Sequence, residues 1–311
     1  MYLFSNILGV FVFDEKFSLV DEMPFNNLKD NKKKDAIIRQ IQNKHKNLKE
    51  PDGEAIKKIL FYFKNKKFFV DFCNKNLQLT KLEMKNSVIS DVLLIQSINL
   101  IGELDKAINL LARRLREWYE WHNPEFSRAV ESHEKFVMEI LEKDKDELLK
   151  EIKVSHEDSM GADLGQENLE PIKSLAHQIY DLYQLRKLQE GYISTLMDGL
   201  CPNIKTVCGA LLAAKLIEHA GSLKRLSEMP ASTVQILGAE KALFRHMRTG
   251  AKPPRHGIII NHPLISKAPE KMHGKVARSL ADKIAIAAKV DYFQGKFIGD
   301  KLKEELEKKF G

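Results

Sequence analysis

The chain is poor in the residues that punctuate a turn-rich fold, with 16 glycines and 10 prolines among 311 residues. That scarcity excludes an all-β architecture, and the abundance of Leu, Lys, Glu, Ile and Ala points to helix. Cysteine is scarcer still. Cys73, Cys201 and Cys208 are odd in number and lack CxxC spacing, which excludes a disulfide framework, argues against a structural zinc site and fits a reducing compartment. No apolar run approaches the ~18 to 20 residues needed to span a bilayer. Met1 to Phe13 is apolar enough for a signal core, but no basic residue precedes it and no small-residue cleavage site follows, so it reads as strand. The chain therefore reads as soluble and intracellular, with no membrane partner.

Charge is plentiful but unevenly placed. Residues 1–95 carry 17 basic against 12 acidic side chains, residues 96–190 carry 13 against 20, and residues 191–311 carry 20 against 11. Within the last block, positions 215–278 hold 12 Lys and Arg against 4 Asp and Glu. A cationic surface of this extent attracts polyanions by releasing their condensed counterions, and nucleic acid is the commonest such partner.

The first block, 1–90, reads as a small α+β domain. Ile7–Phe13 and Phe17–Met23 flank Asp14-Glu15-Lys16 as a hairpin, residues 29–49 are polar and helical, and a helix at Glu54–Phe63 precedes a further strand at Lys67–Cys73. It contains no Gly-rich phosphate loop and no nucleophile with a plausible base, so it reads as a docking platform.

The second block, 91–190, carries the clearest periodicity. Ile101, Leu104, Ile108, Leu111, Leu115 and Trp118 are spaced 3, 4, 3, 4, 3, with Leu94 and Ile98 extending the series backwards. This is a heptad seam, and it requires a partner helix. Ile172, Leu175, Ile179 and Leu182 repeat the spacing after Pro171, a residue tolerated in a first helical turn. Two such helices, each about 45 Å long, predict an antiparallel coiled-coil hairpin whose distal end holds a helix over 126–151. Trp118, Tyr119 and Trp121 read as packing residues where the arm meets its neighbours.

The third block, 191–311, reads as all-helical. Ser232 and Gln235 have capping-box spacing. A helix continuing from them would place Lys241, Arg245 and Arg248 on one face and Ile236, Leu243 and Met247 on the other, with Leu243 and Phe244 in the core. Val276, Leu280, Ile284 and Ala287 form a core stripe, with Ala277, Ala281 and Ala285 permitting close helix approach.

Several stretches together resemble the Nop-domain family: WYEWHNPEF at 118–126, SMGAD at 159–163, HAGSL at 219–223, PASTVQILGAEKALFR at 230–245, HGIIINHPLI at 256–265 and GKVARSLADKIAIAAKVD at 274–291. The short first block and the lack of a long Lys/Glu-rich tail are most similar to the archaeal scaffold of box C/D small ribonucleoproteins. The resemblance implies a mainly α protein that serves guide-directed RNA 2′-O-methylation without catalysing it. The first block would hold fibrillarin, a methyltransferase that uses S-adenosylmethionine, so that this chain needs no cofactor of its own. The coiled coil would make a homodimer, and the Nop domain would grip a box C/D kink-turn RNA already bound by a ribosomal-protein-like partner. The family's RNA-contacting motif falls on Gly238, Ala239, Glu240, Lys241, Ala242, Leu243, Phe244 and Arg245, and its histidine on His262. Arg248 and Arg255 join these on charge alone. Such a protein works in the cytoplasm of an archaeal cell, or in the nucleolus of a eukaryote.

Lys241, Arg245 and Arg248 suit phosphates because Arg offers a planar donor fork and Lys a mobile point charge. An exposed Phe244 would stack on a base, and a neutral His262 would stack on or hydrogen-bond a flipped-out nucleotide. Glu240 and Lys241 are adjacent on a helix and face different ways, so they form no acid/base pair. His246, His256 and His273 lack metal-ligand neighbours. Two other readings compete: a splicing-type scaffold with the same domain, and a coiled-coil interaction protein whose basic patch meets an anionic membrane or an acidic protein. No constellation of nucleophile, base and oxyanion donors supports an enzyme.

Overall fold

The computed structural model describes residues 1–25, 34–45, 47–64, 66–87 and 90–310. The protein is mainly α, and its chain divides into two compact units, Met1–Ile89 and Ser90–Gly311. Among the described residues no single helix is long and apolar enough to cross a membrane.

In the first unit, β1 (Tyr2–Asn6), β2 (Gly9–Phe13) and β3 (Leu19–Pro24) form an antiparallel sheet with β2 central. The apolar run at 1–13 is thus two strands, because the Asn6 side chain accepts the Leu8 N–H at 2.8 Å and turns the chain. Asp14 accepts the N–H groups of Lys16 and Ser18 and makes the second turn. Every residue of β2 is buried, as a central strand covered on both faces requires. Phe11 and Phe13 pack with Ile59 and Phe63, and Val10 and Val12 with Phe25 and Ile41.

The helices supplying those partners are α1 (Lys34–Lys44), α2 (Gly53–Tyr62) and α3 (Lys66–Asn86). Residues 29–33 and 46, expected to be helical, lie outside the described residues. The strand expected at Lys67–Cys73 is instead the first two turns of α3. Phe68 and Phe72, four apart, pack on the Phe11/Phe13 cluster, while Phe69 and Val70 are exposed. A four-residue repeat of burial is a helix's signature, and tertiary packing here overrides the β-propensity of an aromatic run.

The second unit begins with α4 (Ser90–Tyr119) and returns along α8 (Gln166–Leu200). The two are antiparallel. Leu94 and Ile98 share a cluster with Ile193 and Met197, while Ile108 and Leu115 share another with Ile172, Ala176 and Ile179. The Arg186 guanidinium, 2.6 Å from Asp105 and 2.5 Å from Glu190, fixes the register between the helices.

The seam drifts as it runs. Ile101, Leu104, Ile108 and Leu115 are buried, but Leu111 is half-buried beside a buried Ala112, and Trp118 is 41% exposed beside a buried Tyr119. A straight α-helix rotates ~20° per heptad away from a strict 3.5-residue repeat, so over three heptads the buried face turns by about 60°, more than half of the ~100° step to the next residue. On α8 the same slippage leaves Leu175 and Leu182 half-buried while Ile172, Ala176 and Ile179 are sealed. Pro171 is the sixth residue of α8, beyond the first turn expected for it.

At the distal end, the single helix expected over 126–151 is three short ones: α5 (Pro124–Ala129), α6 (His133–Glu142) and α7 (Lys145–Glu151). Asn123, Ser132 and Asp144 each take a capping position, which is why the chain restarts three times. Arg116 ties this end to α4. It donates to His133 Nδ1 and to the carbonyls of Ser127, Glu131 and Ser132, with its guanidinium 4.4 Å from the Phe136 ring centre.

The remainder is helical, comprising α9 (Pro202–Cys208), α10 (Ala210–Ala220), α11 (Leu223–Glu228), α12 (Ala231–Ile236), α13 (Glu240–Thr249), α14 (Pro263–Ser266), α15 (His273–Tyr292) and α16 (Gly299–Phe310). The α15 stripe is buried as its spacing requires, with Val276, Ala277, Leu280, Ala281, Ile284, Ala285 and Ala287 inside. The hairpin base joins the same core, and α8 passes residue 190 without interruption.

Candidate nucleic-acid interface

The basic stripe expected on one continuous helix sits on a helix of its own. Ser232 and Gln235 form no capping box. α12 opens at Pro230 without a side-chain cap, and Gln235 Nε2 donates to the Arg255 carbonyl at 2.7 Å. The chain breaks after α12 because Gly238 takes φ +83°. A Cβ there would lie 2.3 Å from Ile258 Cγ2, and one on Gly257 would lie 1.9 Å from the Leu237 carbonyl oxygen. These two glycines let segments 235–238 and 255–258 close on each other. The closure is held by the Gly257 N–H donating to Gln235 O at 2.8 Å and the Ile258 N–H to Leu237 O at 2.9 Å. α13 is the excursion between them.

Glu240 starts that excursion. Its Oε1 accepts the Gly238 N–H at 2.7 Å, which orients the turn as a carboxylate at a helix N-terminus should. Burial acts to raise its pKa, but the hydrogen bonds from Gly238 and from its own N–H, with His219 nearby, outweigh that and hold it below the usual glutamate value. At the other end Gly250, φ +69°, closes the helix through its N–H to the His246 carbonyl. Ala239 takes the N-cap position.

No residue of α13 is buried. Lys241, Arg245 and Arg248 are exposed at i, i+4 and i+7, and none of them has an ion-pair partner among the described residues. Phe244 is 62% and Met247 71% exposed, while Ala242 and Leu243 are half-buried. The core role expected for Phe244 and for the face opposite the stripe is thus not met. A ten-residue helix without buried contacts is marginal by itself, so its direction is set by the glycine turns beneath it. What it presents is a cationic edge with a free aromatic ring. Arg255 is exposed on the adjoining segment, its Nη1 3.9 Å from Glu270.

His262 is placed differently. It is buried, its Nε2 lies 3.2 Å from the Val207 carbonyl, and its Nδ1 accepts the Leu264 N–H at 3.2 Å to cap α14. Burial pushes its pKa below the ordinary histidine value, and Nε2 is the protonated nitrogen of a neutral ring. Both nitrogens are spoken for, so the expected hydrogen bond to a nucleotide would require one of these to break. Among the described residues no group of three His, Cys, Asp or Glu side chains is placed to hold a metal ion.

Two motifs far apart in sequence meet at the distal end of the hairpin. The Ala162 N–H donates to the Trp121 carbonyl at 2.9 Å, His122 Nδ1 lies 2.9 Å from the Ala162 carbonyl, and Glu125 accepts the Met160 N–H at 2.8 Å. A Cβ at Gly161 would lie 2.1 Å from the His122 carbonyl oxygen, which explains the glycine in SMGAD. The packing expected of Trp118 and Trp121 is not observed. Trp121 is 74% exposed and, with Trp118 and Met160, lines an open groove of about 910 Å³.

The model of the family described as Nop, snoRNA binding domain, fibrillarin, matches residues 100–311. An uncharacterised NOP5 family protein of Methanocaldococcus jannaschii is 40% identical over 284 residues, covering 83% of this chain and 67% of that one. Nucleolar protein 58 of Candida albicans is 41% identical over 217 residues, covering 65% of this chain, which spans only 42% of the fungal protein's length. A solved chain from a fibrillarin/Nop5p complex is 25% identical, with a TM-score of 0.47 over 99% of this chain and 98% of that one. A family match over residues 100–311 and a relative 40% identical over most of the sequence place this chain in the Nop family.

Proposed function

We propose that the protein is a non-catalytic RNA-binding scaffold of a box C/D guide ribonucleoprotein, in which the second unit grips a kink-turn RNA together with the protein already bound to it. The observation that carries this reading is α13, a helix with no buried residue that holds Lys241, Arg245 and Arg248 without an ion-pair partner among the described residues and leaves Phe244 free to stack. It lies inside the span matched by a family described as snoRNA binding. Arg255 extends the same cationic edge.

The remaining parts of the reading follow the domain division 1–90, 91–190 and 191–311. The first unit would recruit fibrillarin, and S-adenosylmethionine would be held by that partner and not by this chain. The hairpin would join two copies. In support, Leu185, Leu188 and Tyr192 lie at i, i+3 and i+7 on α8 and are 39%, 70% and 43% exposed, a heptad-spaced apolar stripe that α4 does not cover. With an archaeal and several fungal nucleolar relatives, the site of action is the archaeal cytoplasm or the nucleolus.

The test is to mix the purified chain with a box C/D kink-turn RNA, with and without its ribosomal-protein-like binder. The expected result is a ternary complex that forms only when the binder is present, because a composite surface supplies contacts that neither part offers alone. Tight binding to the naked RNA would contradict the composite site. Binding to a spliceosomal kink-turn complex without capture of fibrillarin would favour the splicing-type reading.

A further inference from the structure

The turn between α15 and α16 exposes three aromatic rings. Tyr292 is 36%, Phe293 75% and Phe297 52% exposed. α15 ends in a turn whose Gln294 N–H donates to the Asp291 carbonyl at 3.2 Å and whose Gly295 N–H donates to the Val290 carbonyl at 2.8 Å. This is the two-bond closure of a Schellman motif. The left-handed residue, usually glycine, is here Gln294 at φ +52°, and the next position, where an apolar side chain usually folds back onto the helix, is Gly295. The turn is therefore closed by backbone alone, and neither Phe293 nor Phe297 is needed to seal it.

Phe297 is nonetheless held in place. A Cβ on Gly299 would lie 3.0 Å from Phe297 Cε2 and 2.9 Å from Thr206 Cβ, so the ring is seated against the start of α16. It also lines a cleft of about 700 Å³ shared with Lys205, Lys303 and His262. Lys289, Lys296 and Lys301 surround the turn, exposed and without ion-pair partners among the described residues. Of the nearby carboxylates, Asp300 is exposed, Glu305 is paired with Lys283 and also feels the Lys301 charge, and Asp291 is buried and engaged by Asn203 and Ile204.

We infer that this turn is a second RNA contact, which takes single-stranded RNA by stacking bases on Phe293 and Phe297 and pairing phosphates with Lys289, Lys296 and Lys301. The inference rests on the RNA-binding reading above and extends it to a surface apart from α13. Exposed rings interleaved with unpaired cations are the chemistry of sequence-tolerant single-strand binding. A duplex keeps its bases stacked on one another and offers such rings only its ends, so the ligand is unpaired RNA. A membrane surface would call for a longer amphipathic helix than this six-residue exposed turn.

The test uses the full chain and a fluorescein-labelled ten-residue oligouridylate, titrated by fluorescence anisotropy at several salt concentrations. Phe293→Ala/Phe297→Ala is expected to bind at least about fivefold more weakly than the parent. Lys289→Gln/Lys296→Gln is expected to shrink the log–log salt slope by about 0.7 for each phosphate left without its lysine. Thermal unfolding of both variants, and of Phe293→Ala alone, whose ring is 75% exposed, separates weakened binding from misfolding. A 4-thiouridine version of the probe is expected to crosslink within residues 289–301. An aromatic variant that binds the oligonucleotide as tightly as the parent, or crosslinks confined to other segments, would overturn the inference. So would co-sedimentation with phosphatidylserine vesicles that depends on the two rings while oligonucleotide binding does not. If the parent chain forms the kink-turn complex and only the aromatic dependence is missing, this inference alone falls. If the parent binds neither RNA, the RNA-scaffold reading falls with it.

Discussion

A methyl group on Gly238 would lie 2.3 Å from Ile258 Cγ2, twenty residues further along the chain. That close approach, together with φ +83°, makes Gly238 the hinge on which α13 is hung. Gly238→Ala should cost about 1 to 3 kcal/mol in urea unfolding. It should also weaken binding of the kink-turn complex although no cation is removed. Gly250→Ala, at φ +69° in open space, should show only the smaller backbone cost of about 1 kcal/mol. Equal costs for the two would show that the proximity of Ile258 does not matter.

Asp291 links the end of α15 to the start of α9. Its carboxylate accepts the Asn203 N–H at 3.1 Å, Asn203 Nδ2 at 2.6 Å and the Ile204 N–H at 2.9 Å. Asp291→Ala leaves those donors unpaired and should cost about 1 to 3 kcal/mol. Burial, partly offset by these bonds, raises the Asp291 pKa above its ordinary 3.8. A raised folded value means the group's contribution is whole below pH 3.8 and declines as pH rises through that value. The deficit of Asp291→Asn relative to the parent should therefore shrink as pH rises above about 4. Urea midpoints measured across pH 3.5 to 7 check this, and a deficit that grows with pH would contradict it.

Four buried or partly buried histidines set the opposite trend near neutrality. Burial lowers the pKa values of His122, His133, His256 and His262 below 6.5. Their contribution to stability is present above 6.5 and is lost as pH falls through the folded values. His156, raised by Asp146 and Asp163, acts in the other direction but is solvent-exposed. The urea midpoint should fall between pH 7.5 and 5.5, and His262→Asn should flatten that fall. A midpoint independent of pH would rule out these histidines as buried neutral groups.

The uncovered stripe on α8 predicts the assembly state. Leu188→Glu places a charge on a residue that is 70% exposed, so the hairpin should keep its helicity while the proposed homodimer dissociates. Light scattering after size-exclusion chromatography distinguishes the outcomes. A dimer that survives the substitution would move the interface elsewhere.

Much of this architecture was legible in the sequence, because the signals were local or periodic. The seam of Ile101, Leu104, Ile108 and Leu115 and the α15 stripe announced helices whose buried faces are where the spacing put them. The misreadings had nonlocal causes. Phe68 to Phe72 looks like a strand until Phe11 and Phe13 give α3 a face to cover. The break between α12 and α13 depends on Ile258, and the exposure of Phe244 follows from that break. Trp118 yields its place to Tyr119 through helix drift, which a strict heptad count leaves out. Arg116, Asp291 and the meeting of Trp121 with Ala162 left no local trace, since each works through partners 11 to 88 residues away.

The salt dependence of kink-turn complex binding tests the proposed RNA contact of α13 most directly. Log affinity against log salt, compared between the parent and Lys241→Ala/Arg245→Ala, should fall by roughly one unit of slope for each phosphate left unpaired. Slopes that coincide, with both proteins folded, would mean that the cationic edge of α13 does not touch the RNA.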